Sequence, residues 1–143
     1  MQSAPKTTPQ FLQGTETVLL VEDEASLRKL TCQLLVLCGY TVLEADSGAE
    51  AVKISREFEG PIHLLLTDVV MPVMSGRTVA DEIIKERPET HVLYMSGYTG
   101  QTVGQHGVLA EGSFYLQKPF TREGLARKVR EALDSLPILS MAD

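Results

Sequence analysis

The chain reads as a doubly wound α/β domain, a five-stranded parallel sheet with helices on both faces, and three observations predict it. Short apolar runs alternate with amphipathic helical patterns five times between Thr17 and Leu136. Alternation of that kind folds as right-handed β-α-β units. The stretch Ile62–Thr67 is too uniformly apolar for a strand with one wet face, so it belongs in the middle of a sheet covered on both sides. Finally, 143 residues with 43% hydrophobic and 22% charged side chains supply one core and one domain.

Each element follows from local chemistry. Residues 1–15 are rich in Pro, Thr and Gln without periodicity and read as a linker or disordered tail ahead of a domain spanning 16–137, with 138–143 as a C-terminal tail. Thr17–Val21 is a short apolar strand that runs into the acids Glu22, Asp23 and Glu24. Leu27, Leu30, Leu34 and Leu37 recur at three- and four-residue spacing and predict the inner face of a helix closed by Gly39. Tyr40–Glu44 is a second strand. Ser47 and Glu50 have capping-box spacing and open a helix reaching about Glu59, with Gly60-Pro61 as its stop.

The apolar strand Ile62–Thr67 ends in Asp68, and a turn runs from Val69 to Gly76. A helix over Arg77–Arg87, with Val79, Ile83 and Ile84 facing inward, is stopped by Pro88. His91–Met95 is a fourth strand ending at Ser96, and Phe114–Gln117 a fifth ending at Lys118-Pro119. Thr121 begins a last helix with Leu125, Val129, Leu133 and Leu136 inside. Between them, glycines 97, 100, 104, 107 and 112 lower the propensity of any short helix by about 1 kcal/mol per interior site, which predicts the loosest element there.

Chemistry collects at one edge. In open α/β sheets, ligands bind beyond the carboxyl ends of the strands. Those ends carry Glu22 and Asp23, Asp68, Ser96 and Lys118. Clustered carboxylates stay ionised together only beside a cation, and oxygen ligands with room for water and a phosphate suit Mg²⁺. Asp68, on the central strand, is placed to act as a nucleophile toward an activated phosphoryl group and form an aspartyl phosphate. Lys118 supplies a point charge for the transferred oxygens, and the Ser96 hydroxyl a hydrogen-bond donor.

These residues, with the stretches LLVEDE, LLLTDVVMPVMSG, VLYMSG and FYLQKPF in order, resemble the receiver domain of two-component response regulators over residues 17–136. The resemblance implies the flavodoxin-like strand order 2-1-3-4-5, Asp68 as phosphoacceptor, Asp23 as a direct Mg²⁺ ligand and Glu22 acting on the metal largely through water. It further implies the Val70 carbonyl as a ligand, Ser96 and Tyr115 as the hydroxyl and aromatic switch pair, and a cis peptide before Pro119. The phosphoryl donor it implies is a phosphohistidine on a sensor histidine kinase or phosphotransfer domain, with self-catalysed transfer and dephosphorylation. The GYT after Ser96 and the QKPF ending most resemble receivers fused to hybrid histidine kinases. Glu22 stands where many members carry Asp, and its extra methylene lengthens its reach.

Composition narrows the partners. Thirteen Lys and Arg against nineteen Asp and Glu leave a net charge of −6, and no basic run offers a nucleic-acid face. No apolar run approaches the ~18 residues of a membrane span, and no apolar leader opens the chain, so the domain is expected in the cytoplasm. Cys32 and Cys38, six residues apart in one helix, rise about 9 Å, too far for a disulfide, and are expected reduced. His63, His91 and His106 are scattered without ligand spacing and read as structural or surface residues; Met71 and Met74 read as packing. Val70 and Tyr98 flank the phosphoacceptor, and the apolar side chain of Val70 predicts slow hydrolysis of the acyl phosphate.

Three other functions share these features. One is a stand-alone single-domain response regulator, and a second is an interaction module of the same fold that is never phosphorylated. The third is an Asp-nucleophile phosphohydrolase of the haloacid dehalogenase type. That last class resembles a DxD motif after its first strand, whereas here the first strand ends in Glu-Asp-Glu.

Overall fold

The computed structural model describes residues 12–97 and 114–135. In chain order the elements are β1 (Thr17–Val21), α1 (Ala25–Leu37), β2 (Thr41–Ala45), α2 (Gly48–Glu57), β3 (Leu64–Asp68), α3 (Gly76–Glu86), β4 (His91–Ser96), β5 (Phe114–Gln117) and α4 (Arg122–Leu133). The five strands form one parallel sheet in the order β2-β1-β3-β4-β5, as expected. The expectations for residues 98–112, and for Leu136, fall outside the described residues.

The sheet separates two cores. Val18 and Leu20 of β1 and Leu64 and Leu66 of β3 point toward α1 and α4, where they meet Leu35, Leu125 and Val129. Leu19, Val21 and Leu65 point the other way, toward Val79 and Ile83 of α3 and Ala51 of α2. A strand buried on both faces cannot alternate with polar residues. Every residue of β3 is buried for that reason.

Helix starts are capped by side chains, as expected at Ser47 and Thr121 and additionally at Ser75. Ser47, Ser75 and Thr121 each accept a hydrogen bond from the backbone N–H three residues on. Glu50 reaches back to the Asp46 amide at 2.7 Å, one residue earlier than a capping box requires. α2 ends at Glu57 because the Arg87 guanidinium donates to the carbonyls of Ser55, Phe58 and Gly60 and closes that end of the helix. β3 starts at Leu64 rather than Ile62 and includes Asp68; Ile62 is nevertheless buried. β2 is Thr41–Ala45, one residue later than expected, and β4 runs one further, through Ser96.

The inner face of α1 differs from expectation. Leu30 and Leu37 are 50% and 66% exposed, and Leu27 and Leu34 are half-buried, whereas Thr31 and Leu35 are buried, followed by Cys38. The helix is turned so that the 31-35-38 stripe faces the sheet. Thr31 tolerates burial because its hydroxyl donates to the Leu27 carbonyl at 2.8 Å. Cys32 is half-buried, Cys38 is buried, and neither is in a disulfide, as expected.

Packing against the domain begins before residue 16. Leu12 is 3% exposed and belongs to the core beneath α1 and α4, and the Gly14 N–H donates to the Cys38 carbonyl. The reading of 1–15 as a loose tail therefore does not hold for residues 12–15.

Candidate functional site

β1 delivers Glu22 and Asp23 to the carboxyl edge of the sheet. The Glu22 N–H donates to the Ala45 carbonyl, and the Arg28 guanidinium holds the Glu22 carbonyl at 2.8 Å. Its side chain is buried, with one oxygen accepting from the Glu24 amide at 3.1 Å and the other from Lys118 Nζ at 2.9 Å. Asp23 stands exposed beside it.

Asp68 is the last residue of the central strand and is buried. Its backbone is pinned from behind by α3: a Cβ at Gly76 would lie 1.8 Å from the Asp68 carbonyl oxygen, so only glycine fits there. The Gly76 N–H donates to Val69, and the Val69 N–H to Met95, which locks the loop to β4. Met71 and Met74 turn into the core beneath α2 and α3, as expected of packing residues. Between them, Met74 N–H donates to the Pro72 carbonyl across Val73, a γ-turn in which Val73 has φ +70° and is fully exposed.

Lys118 arrives from β5, followed by the expected cis peptide to Pro119. Its N–H donates to the Ser96 carbonyl at 2.7 Å, tying the ends of β4 and β5 together. Its ammonium lies 2.5 Å from Asp68 Oδ1 and 2.9 Å from Glu22 Oε1. The contact with Asp68 is ionic without hydrogen-bond alignment, since Asp68 Oδ1 is buried and accepts no hydrogen bond.

Glu22, Asp23, Asp68, Val70, Ser96 and Lys118 line one cavity of about 360 Å³, together with Glu24 and Gly97. Sequence reasoning singled out the first six. Glu24 was legible only as the third acid of the run and Gly97 as a glycine after a strand end. Tyr115 does not line the cavity; it sits on β5, 47% exposed. His63 and His91 lie at the opposite edge of the sheet. There His63 Nδ1 accepts from the Thr17 N–H, and His91 Nδ1 lies 3.4 Å from the Ser135 hydroxyl.

The electrostatics are unbalanced. Carboxylate oxygens of Glu22, Asp23 and Asp68 lie within 4.8 Å of one another, and one ammonium faces them. Burial, then the hydrogen bond with Glu22, pushes the Asp68 carboxyl up to about 8, against the pull of Lys118. Burial also raises Glu22, but bonds from Asp68, Lys118 and the Glu24 amide outweigh it and hold Glu22 low. Desolvation would lower Lys118, yet its two carboxylate partners raise it. The result is an acidic hollow, with a buried Asp68 oxygen that meets the Lys118 ammonium but accepts no hydrogen bond.

Residues 18–130 match the response regulator receiver domain, and the chain belongs to that family. Its members bind Mg²⁺ at an acidic pocket of this kind. The chain is 40% identical over 124 residues to the sensor kinase CckA of Brucella abortus, covering 86% of this chain but only 13% of that protein. It is 30% identical over 116 residues to the response regulator receiver protein CpdR of the same organism, covering 81% of this chain and 95% of CpdR. The crystal structure of the receiver domain of the hybrid histidine kinase CckA superposes with a TM-score of 0.70 at 35% identity, covering 82% of this chain and 99% of that one. Membership in this family, with the nucleophile candidate at the end of β3, sets aside the phosphohydrolase reading. Among the described residues, no helix is long and apolar enough to cross a membrane.

Proposed function

We propose that Asp68 accepts a phosphoryl group from a phosphohistidine of a histidine kinase or phosphotransfer domain, and that this switches the surface the domain presents to its partners. The observation that carries the reading is the buried, hydrogen-bond-free Asp68 Oδ1 beside Lys118, at the floor of a cavity whose wall is acidic.

Three carboxylates against one ammonium leave room for a divalent cation. The hard oxygen donors fit Mg²⁺. Asp23, Asp68 and the Val70 carbonyl would hold it, with Glu22 acting from behind. Bound there, the ion neutralises the carboxylates and the charge on the transferred phosphoryl oxygens. The chain's own residues do the rest. Asp68 attacks phosphorus; the new P–O bond forms as the P–N bond to the donor imidazole breaks, and the imidazole keeps the electron pair and takes a proton from water. Lys118 moves its charge from the carboxylate to a phosphoryl oxygen. Ser96, buried at the end of β4, turns its hydroxyl to another. Tyr115 then follows Ser96 inward and changes the outer face of β5.

The strong match to CckA favours a receiver within a hybrid histidine kinase. A second reading, the stand-alone response regulator, is favoured by the match to nearly the whole of CpdR. A cytoplasmic location fits both readings, and the lack of a disulfide at Cys32 and Cys38 suits a reducing compartment. Intact mass after incubation with Mg²⁺ and acetyl phosphate tests the shared claim. One phosphoryl group is expected on the wild type and none on Asp68→Asn. An adduct that survives the substitution refutes Asp68 as acceptor.

A further inference from the structure

The edge of the sheet remote from the acid cavity carries its own cluster of charge, gathered by a single guanidinium. Arg130, near the C-terminal end of α4, places Nη1 3.0 Å from Glu16 Oε1, 3.2 Å from the Tyr40 hydroxyl and 3.4 Å from the Gln13 carbonyl. Its Nη2 lies 2.5 Å from Asp134 one turn further along the helix. Gln13 and Glu16 precede or border β1, and Tyr40 opens the approach to β2. One side chain of α4 thus grips the chain as it enters the domain.

The entering segment is fitted closely to that grip. A Cβ at Gly14 would come within 2.4–2.6 Å of Glu16, Tyr40 and Arg130, and a Cβ at Gly39 within 2.3 Å of the Gly14 carbonyl. Gly14 N–H donates to Cys38, Thr41 N–H donates to Glu16, and Leu12 plugs the core beyond. Residues 13–16 are thus tied to the end of α1, to Tyr40 and to Arg130 of α4.

α4 connects this grip to the cavity. Its N-cap, Thr121, follows Lys118 by three residues. From Arg122 to Leu133 it runs twelve residues, about 18 Å. The helix buries Leu125, Ala126, Val129 and Ala132 in the core it shares with the sheet.

We propose that residues 12–16 form a strap, held by Arg130, that carries the state of the phosphoacceptor to the chain entering the domain. The inference rests on the phosphoacceptor reading above. When Lys118 turns from Asp68 to a phosphoryl oxygen it draws the start of α4 toward the cavity, and Arg130 moves with the helix. Of the bonds from Arg130 to the entering segment, the 3.4 Å contact with the Gln13 carbonyl is the longest and yields first.

Amide hydrogen exchange tests this on the full chain, with acetyl phosphate and Mg²⁺ as the probe and intact mass reporting the adduct. In phosphorylated wild type, exchange at Gly14 and Thr41 accelerates by more than about threefold, while Ala51 in α2 is unchanged. Arg130→Met still takes up the phosphoryl group, but its strap exchanges quickly from the start and no longer responds. Should that variant fail to fold, Glu16→Gln removes one arm of the grip and shows a diminished response. An adduct without acceleration at Gly14 and Thr41 overturns the strap and leaves the phosphoacceptor intact. Failure to form any adduct overturns both.

Discussion

The two edges of the sheet gather charge in opposite ways. At the carboxyl edge, Glu22, Asp23 and Asp68 face one ammonium, and a buried oxygen of Asp68 is left without a hydrogen bond. At the amino edge, one guanidinium meets Glu16, Asp134, a phenol and a carbonyl, and each finds a partner. A satisfied network rigidifies the fold, whereas an unsatisfied one is a cost that stability alone does not explain. The imbalance falls at the edge proposed to take the phosphoryl group, and the balance at the edge where Arg130 ties the entering segment to α4.

Several substitutions would break or sharpen that contrast. The largest effect is expected at the acceptor: Asp68→Asn loses the phosphoryl adduct entirely, while Arg130→Met keeps it, both read by intact mass. Next come the two cations. Lys118→Met leaves Glu22 and Asp68 buried without a counter-charge and should cost roughly 3–5 kcal/mol in chelator, part of which added Mg²⁺ restores. Arg130→Met should cost roughly 2 kcal/mol, with no recovery on adding Mg²⁺. Urea unfolding with and without the metal separates them, and equal metal responses would erase the distinction between the edges.

Titration should split the edges by sign. Burial pushes Glu16 up, but its bond to Arg130 outweighs this and holds it below the ordinary range. Its contribution is therefore present above the unfolded value near 4.3 and lost as the pH falls through the folded one. Asp68 is raised, so its contribution is present below about 3.9 and lost as the pH rises toward 8. In chelator, Glu16→Gln should flatten the acid limb of stability against pH, and Asp68→Asn should stabilise the protein at pH 8 by at least roughly 1 kcal/mol. A destabilised Asp68→Asn at that pH would contradict the reading of the carboxyl edge.

Two smaller effects concern the loop after β3. Val70 lines the cavity with a side chain that cannot orient water, so Val70→Asn should shorten the life of the acyl phosphate severalfold, measured by its decay after the donor is removed. Val73 holds φ +70° in full exposure, a conformation that costs a β-branched residue of order 1 kcal/mol. Val73→Gly should recover less than that, since glycine adds entropy to the unfolded chain; a loss of stability would mean that Val73 makes a contact worth more than its strain.

Much of this was legible in the residues. The alternation of patterns led to the sheet, strand ends led to five of the eight cavity residues, and the family resemblance added Val70. What misled was α1. Its leucines at 27, 30, 34 and 37 form a clean helical stripe, yet Thr31 and Leu35 are what the sheet buries. Periodicity shows that a helix has an apolar side; it does not show which side the neighbouring strands leave room for. Tyr115 was linked to the site only through family resemblance, and it stands on the outer face of β5, away from the cavity. The entry strap had no sequence signal at all, because Arg130 and Glu16 lie 114 residues apart.

The sequence by itself determined the order of strands and helices, the caps at Ser47 and Thr121, and the placing of acids and lysine at strand ends. These depend on neighbours within a few residues, where side-chain period and backbone hydrogen bonding decide. Tertiary structure alone decided how α1 is turned, that Gly76 must leave room for the Asp68 carbonyl, that Lys118 is shared between Glu22 and Asp68, and that Arg130 seizes the entering chain. Those outcomes depend on distances across the sheet, which exist only once five strands have taken their register.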